Sequence, residues 1–152
     1  MTLRERAWQW PLRLSSGTYV LDSGLSKRNA DEETAKHLHG FAAGTYPFVS
    51  TIEPGQFVKL VSAGEIALGG ALLAPFVPAK LAGLGLLGFG AGLLGLYWKT
   101  PGMRRPGSVF PSQEGVPLAK DVWLVGMGAA LVLGDRGTSR TPAAPAVPDV
   151  VT

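Results

Sequence analysis

The chain has 152 residues and a net charge of +3, with 46% hydrophobic residues, only 16% charged residues and 21 glycines. Soluble domains carry about 25% charged residues, so this shortfall and a mean hydropathy of +0.21 point to a membrane protein. Cysteine is absent, which excludes disulfides, thiolate metal sites, iron–sulfur clusters and thiol relays; no basic stretch is interleaved with aromatics as a nucleic-acid surface requires.

In chain order, residues 1–10 read as an N-terminal segment, 11–134 as a membrane domain and 135–152 as a tail. The first expected span, Pro11–Leu25, follows Trp8 and Trp10, which suit a headgroup belt, and has Pro11 in its first turn. Arg13, Ser15, Ser16 and Asp22 interrupt it, unlike the unbroken core of a signal peptide. Asn29–Gly44 reads as an amphipathic helix, with Asn29 as its cap, Asp31, Glu32 and Glu33 in its first turn, and Leu38, Phe41 and Ala42 on one face. Such a helix lies on the membrane surface or lids a bundle.

The second span, Pro54–Phe76, has Thr51 or Glu53 to cap it and Pro75 and Pro78 to end it. In the third, Ala79–Trp98, Gly88 and Gly92 form a small-xxx-small pair of the kind that lets helices approach in lipid. A basic, Pro/Gly-rich loop, Thr100–Gly115, leads to the fourth, Pro117–Leu133, where Gly126 and Ala130 make a second small pair. Each span is near the roughly 20 residues that cross a bilayer. The Pro/Ala/Thr-rich composition from Gly137 onward predicts disorder. The expected fold is therefore all-α, a four-helix transmembrane bundle with a short amphipathic interfacial helix.

Chemistry concentrates in few places. Glu65 stands alone in the apolar run of the second span, roughly 16 Å along its helix, with Ser62 and Gly69 on the same face. A carboxylate at that depth costs several kcal/mol unless it faces protein or a cavity. One reading makes Glu65 a proton-accepting or quinone-binding carboxylate and the candidate catalytic group. The other makes it part of a buried ion pair, or a protonated acid, that fixes helix register. On the first helix Arg13, Gly17, Val20, Gly24 and Lys27 form one stripe with a cation at each end. Arg13 and Lys27 either hold an anion or quinone carbonyl against the groove at Gly17 and Gly24, or snorkel to their own interfaces.

Asp22 lies on the opposite face and calls for a partner such as Lys59 or Lys120. Lys120 and Asp121, one turn into the last helix, are placed to reach a phosphate headgroup and the helix dipole respectively. His37 and His39 are two residues apart and point away from each other, which suits a solvated pair and predicts no metal site. Neither lies in a span, so haem held by two histidines of this bundle is not available. No phosphate loop, dinucleotide fingerprint or nucleophile elbow occurs.

Three patches, in this order and spacing, resemble the DoxX family of bacterial membrane proteins. They are Arg13, Gly17 and Ser23-Gly24-Leu25 with Lys27; Ala63-Gly64-Glu65-Ile66 with Gly69-Gly70; and Leu118 to Leu124 preceded by Thr100 to Arg104. The resemblance spans Trp10 to Leu133. The first helix departs from it in polarity, with Ser15, Ser16, Thr18 and Asp22 where members tend to carry Leu and Phe.

Members are linked to thiosulfate:quinone oxidoreductase and other membrane oxidoreductase complexes, and many have no assigned activity. The resemblance thus implies a subunit or accessory protein of a quinone-linked redox system. Glu65, Arg13 and Lys27 would line a pocket for quinone or a small anion, with no covalently bound cofactor. The alternative is a scaffold or transport-like protein whose buried charges only specify packing. Expected partners are the lipid bilayer and a membrane protein or a second copy of the chain, in a multi-pass plasma or inner membrane location. The lysines and arginines divide between the two sides without deciding orientation; the lack of a secretory signal favours cytoplasmic termini.

Overall fold

The computed structural model describes residues 7–134; the expected disordered tail and residues 1–6 of the N-terminal segment lie outside the described residues. Apart from one isolated bridge between Arg104 and Pro111, the regular structure among the described residues is helical. The order is α1 (Trp10–Lys27), α2 (Glu32–Thr45), a 3₁₀ turn (Pro47–Thr51), α3 (Pro54–Leu73), α4 (Ala79–Lys99), α5 (Val116–Ala119) and α6 (Val122–Gly134). Three stretches are long and apolar enough to cross a membrane: Pro54–Leu73, Ala79–Lys99 and Val116–Gly134. α1, expected as a span, is not among them. Its 18 residues carry Arg13, Asp22 and Lys27 besides five serine or threonine side chains and two glycines.

The boundaries follow local chemistry. α2 is capped by Asp31 rather than Asn29, its carboxylate accepting from the Thr34 N–H at 2.8 Å. Hydrogen bonding from Thr34, through its side chain first and its backbone N–H second, holds the Asp31 carboxyl below the usual carboxylate range. The helix runs one residue past Gly44 and stops before Pro47, whose missing N–H and rigid ring disfavour continuation. α3 starts with Pro54 in its first turn and ends ahead of Pro75. The last apolar stretch is broken at Lys120-Asp121. There the N–H of Asp121 reaches Leu118 O and the N–H of Leu124 reaches Asp121 O, both three residues back in tight 3₁₀ fashion.

The helices assemble as two tight pairs, α1 on α3 and α4 on α6, which meet each other more loosely, while α2 lies mainly on α3. Val20, Leu72, Ala82, Leu86, Leu124 and Leu131 are buried where the pairs meet. Between lipid-embedded helices apolar burial supplies little drive, so close van der Waals approach matters most.

The sequence reading assigned that approach to Gly88–Gly92 and Gly126–Ala130, and within this chain it falls elsewhere. A Cβ added at Gly88, Gly92 or Gly126 meets nothing within 4 Å, and Ala130 is only half-buried. The contact runs through Gly83 and Gly128 instead: a Cβ at Gly83 would stand 2.7 Å from Leu131 Cβ, and one at Gly128 2.6 Å from Leu87 N. Gly90 packs likewise on Val125. The reason is register. α4 carries glycine on nearly every face, and the glycines that bring it against α6 are those on the face turned toward that helix, Gly83 and Gly90.

Candidate functional site

The α1–α3 pair buries Ser62, Glu65, Gly69 and Leu72 of α3 against Arg13, Gly17, Val20 and Gly24 of α1. Gly24 sits so close to α3 that a Cβ there would lie 2.9 Å from Glu65 Cβ. This proximity places Lys27, one turn further along α1, over the Glu65 carboxylate. The ammonium is 2.9 Å from Oε2 and 3.1 Å from Oε1, and also donates to Ser23 Oγ at 2.6 Å and Ser23 O at 3.2 Å. Ser23 Oγ in turn donates to Glu65 Oε1 at 3.3 Å. Ser62 ties the same two helices by donating to Gly24 O at 2.7 Å.

Glu65 is thus buried, 4% exposed, yet charge-paired, the arrangement that makes a carboxylate tolerable in a low-dielectric interior. Ser23 was absent from the sequence-derived stripe. Its position four residues before Lys27, on the same helix face, is the signal that would have found it.

The pair forms part of the wall of a cavity of about 470 Å³. The rest is mostly apolar: Phe41 and Ala42 of α2, Phe57 and Val61 of α3, Phe89 and Leu93 of α4. α2 and the 3₁₀ turn close one side. His39 fastens them, its Nε2 3.0 Å from Val49 O and its ring edge-on to Phe57, so His39 is half-buried rather than one of a solvated pair; His37 is exposed. Tyr46 completes the wall, donating to Gly92 O at 2.8 Å with its hydroxyl packed on Gly95. Gly88 and Gly92 therefore line a void where the sequence suggested a packing seam.

Asp121 lines the same cavity from the opposite helix pair, at the break before α6. It is 6% exposed, and its carboxylate accepts no hydrogen bond from the described residues. Lys120 is exposed, its ammonium 5.3 Å from the Tyr19 ring centroid.

Arg13, at the other end of the α1 stripe, is 2% exposed and does not join Lys27. Its guanidinium donates to Leu72 O (2.7 Å), Ala71 O (3.0 Å), Ala74 O (2.7 Å) and Val77 O (3.0 Å), and to Gln9 Oε1 (3.1 Å). These carbonyls lie at the C-terminus of α3 and in the turn beyond it, where helix ends leave acceptors without an intrahelical donor; Ala74 O also accepts from the Val77 N–H. The groove expected at Gly17 is filled by α3 itself, a Cβ there lying 3.0 Å from Leu72 Cβ. Asp22 and Lys59 are exposed, and neither they nor Lys120 form an ion pair among the described residues. No cluster of three or more metal-binding side chains occurs among the described residues.

No family model, curated protein or solved structure matches the chain.

Proposed function

We propose that this chain is a four-helix membrane protein of the DoxX type, a subunit or accessory protein of a quinone-linked redox system, and that the cavity beside Lys27 and Glu65 receives the quinone head. One observation carries the reading: a buried ion pair opens onto an apolar cavity of about 470 Å³. Ligand sites are typically apolar clefts of about 300–1,000 Å³ with a few convergent polar groups. Phe41, Phe57 and Phe89 suit a flat ring, and Glu65, Lys27 and Ser23 supply the polar edge. A carboxylate–ammonium–hydroxyl cluster of this kind exchanges a proton with a bound oxygen when the ring changes redox state. In this reading α1 joins the three apolar stretches as the fourth, polar member of a bundle in the plasma or inner membrane, its termini cytoplasmic. A partner subunit supplies or removes the electrons.

The second reading, a scaffold whose charges only set register, is favoured by the mutual satisfaction of the pair. Lys27 spends its ammonium on Glu65 and Ser23. Quinone analysis of the protein purified in mild detergent separates the two. Stoichiometric quinone, counted in both redox forms, is expected; none, in protein that is folded and extracted from quinone-replete membranes, would favour the scaffold.

A further inference from the structure

Asp121 is a wall residue of two cavities. Besides the one beside Lys27 and Glu65, it lines a second cleft of about 320 Å³ between α1 and α6, with Ser15, Tyr19, Trp123, Leu124 and Met127. Tyr19 is shared as well, so the carboxylate and the phenol stand where the two spaces adjoin. The residue is 6% exposed and its carboxylate accepts nothing from the described residues; since no fully buried side-chain oxygen among them lacks a partner, its oxygens open onto the cavity space, where a donor would stabilise them.

The donors of the main cavity are largely engaged within the protein, which suits Glu65, Lys27 and Ser23 to exchanging a proton with a bound oxygen more than to holding a carbonyl tightly. The three protons of the Lys27 ammonium face four acceptors on Glu65 and Ser23. Ser23 donates to Glu65 and Tyr46 donates to Gly92 O. Among the side chains lining the main cavity that leaves the Tyr19 hydroxyl as a spare donor, with the exposed Lys120 ammonium beside it in the adjoining cleft, against the open acceptors of Asp121. A quinone offers only carbonyl acceptors, whereas a hydroquinone offers two O–H donors.

We infer that Asp121 is a binding residue of this site and that the site selects the hydroquinone over the quinone, a proposal that rests on the quinone-linked reading above. One hydroquinone O–H donates to the Asp121 carboxylate, and the ring lies in the aromatic cavity. The apolar tail runs along the cleft lined by Leu124 and Met127. Trp123, 68% exposed beside that cleft, marks its outer side, so the tail leaves toward lipid.

The test is equilibrium binding to the full chain in detergent, under anaerobic conditions, of a short-tailed benzohydroquinone and of the matching benzoquinone. A charge-assisted hydrogen bond is worth about a tenfold preference or more, so the wild type is expected to bind the hydroquinone about tenfold more tightly. Asp121→Asn, which can also donate to a carbonyl, is expected to bring the two forms within about threefold. Asp121→Glu is expected to keep the preference. Binding of both forms with equal affinity by the wild type would overturn the role of Asp121 and leave the quinone reading standing. So would an undiminished preference in Asp121→Asn. Binding of neither form would overturn both. The wild-type comparison needs no variant, so a misfolded Asp121→Asn does not rescue the proposal.

Discussion

Arg13 and Lys27 sit on one face of one helix, both bonded to α3, and they do opposite things. Arg13 is 2% exposed and donates to four main-chain carbonyls at a helix end. Lys27 holds a single carboxylate, its side chain is 23% exposed, and it borders a cavity. A buried cation is therefore not in itself a site. The Arg13 end is a joint, closed by carbonyls that belong to the fold. The Lys27 end is a pair of titratable side chains with space in front of it, and only that end has room for a ligand.

Breaking the joint is expected to have the largest effect. Arg13→Leu leaves the Ala71, Leu72 and Val77 carbonyls in need of donors, Ala74 O keeping the Val77 N–H, each costing about 1–3 kcal/mol if unsatisfied, so little folded protein should be recovered from membranes. Arg13→Lys is expected to rescue poorly, because an ammonium cannot reproduce a planar five-donor fork. Near-normal yield and thermal stability for Arg13→Leu would show that the end of α3 does not depend on it.

Breaking one half of the Lys27–Glu65 pair should cost less. Glu65→Leu strands the Lys27 ammonium, at about 3 kcal/mol, the lower end for a buried pair because Lys27 keeps some exposure. A clear fall in melting temperature in detergent is expected for Glu65→Leu, and a smaller one for Glu65→Gln, whose amide oxygen still accepts from Lys27. An unchanged melting temperature in Glu65→Leu would mean that Lys27 does not depend on this partner.

Glycine substitutions sharpen the contrast between packed and open faces. Gly83→Leu or Gly128→Leu drives side-chain atoms into α6 or α4 and is expected to cost about 1–3 kcal/mol or more. Gly88→Leu meets open space; it should fold normally and, by filling the cavity, lower quinone retention. Thermal stability and quinone content of the three variants check this together. Equal destabilisation of all three would place the helix contact at Gly88 after all.

The smallest effect concerns α2, which closes the cavity. Asp31→Ala removes its cap and should loosen its first turn, seen as faster amide exchange over Thr34 and Ala35. The Asp31 carboxyl titrates below its unfolded value. Its contribution is therefore complete above about pH 4 and is lost as pH falls further. Exchange at those amides that rises with acid in Asp31→Ala as steeply as in the wild type would show that another group controls α2.

What the sequence made legible is what helical spacing determines. Ser62, Glu65 and Gly69 fall on one face because they are three and four residues apart, and the same arithmetic aligns Arg13, Gly17, Val20 and Gly24; in the structure both sets are buried. Spacing cannot tell which helix meets which. The α1–α3 pairing brings together Lys27 and Glu65, 38 residues apart, and no local pattern encodes it. Glycines on nearly every face of α4 likewise conceal which of them touch α6. Asp121 was visible as a helix-start acid, but its place beside the cavity depends on the break at Lys120-Asp121 and on α6 folding back along α4.

The pair is either a ligand-binding element or a register device, and replacing both charges at once distinguishes the two most directly. In Lys27→Met/Glu65→Leu no charge is stranded, and apolar replacement of a buried pair is often neutral or stabilising. Thermal stability and bound quinone are measured on the same purified sample. The expected result is a melting temperature near that of the wild type with bound quinone lost. Wild-type quinone content in a folded double variant would contradict a binding role for Lys27 and Glu65, and failure of the double variant to fold would show that their work is structural.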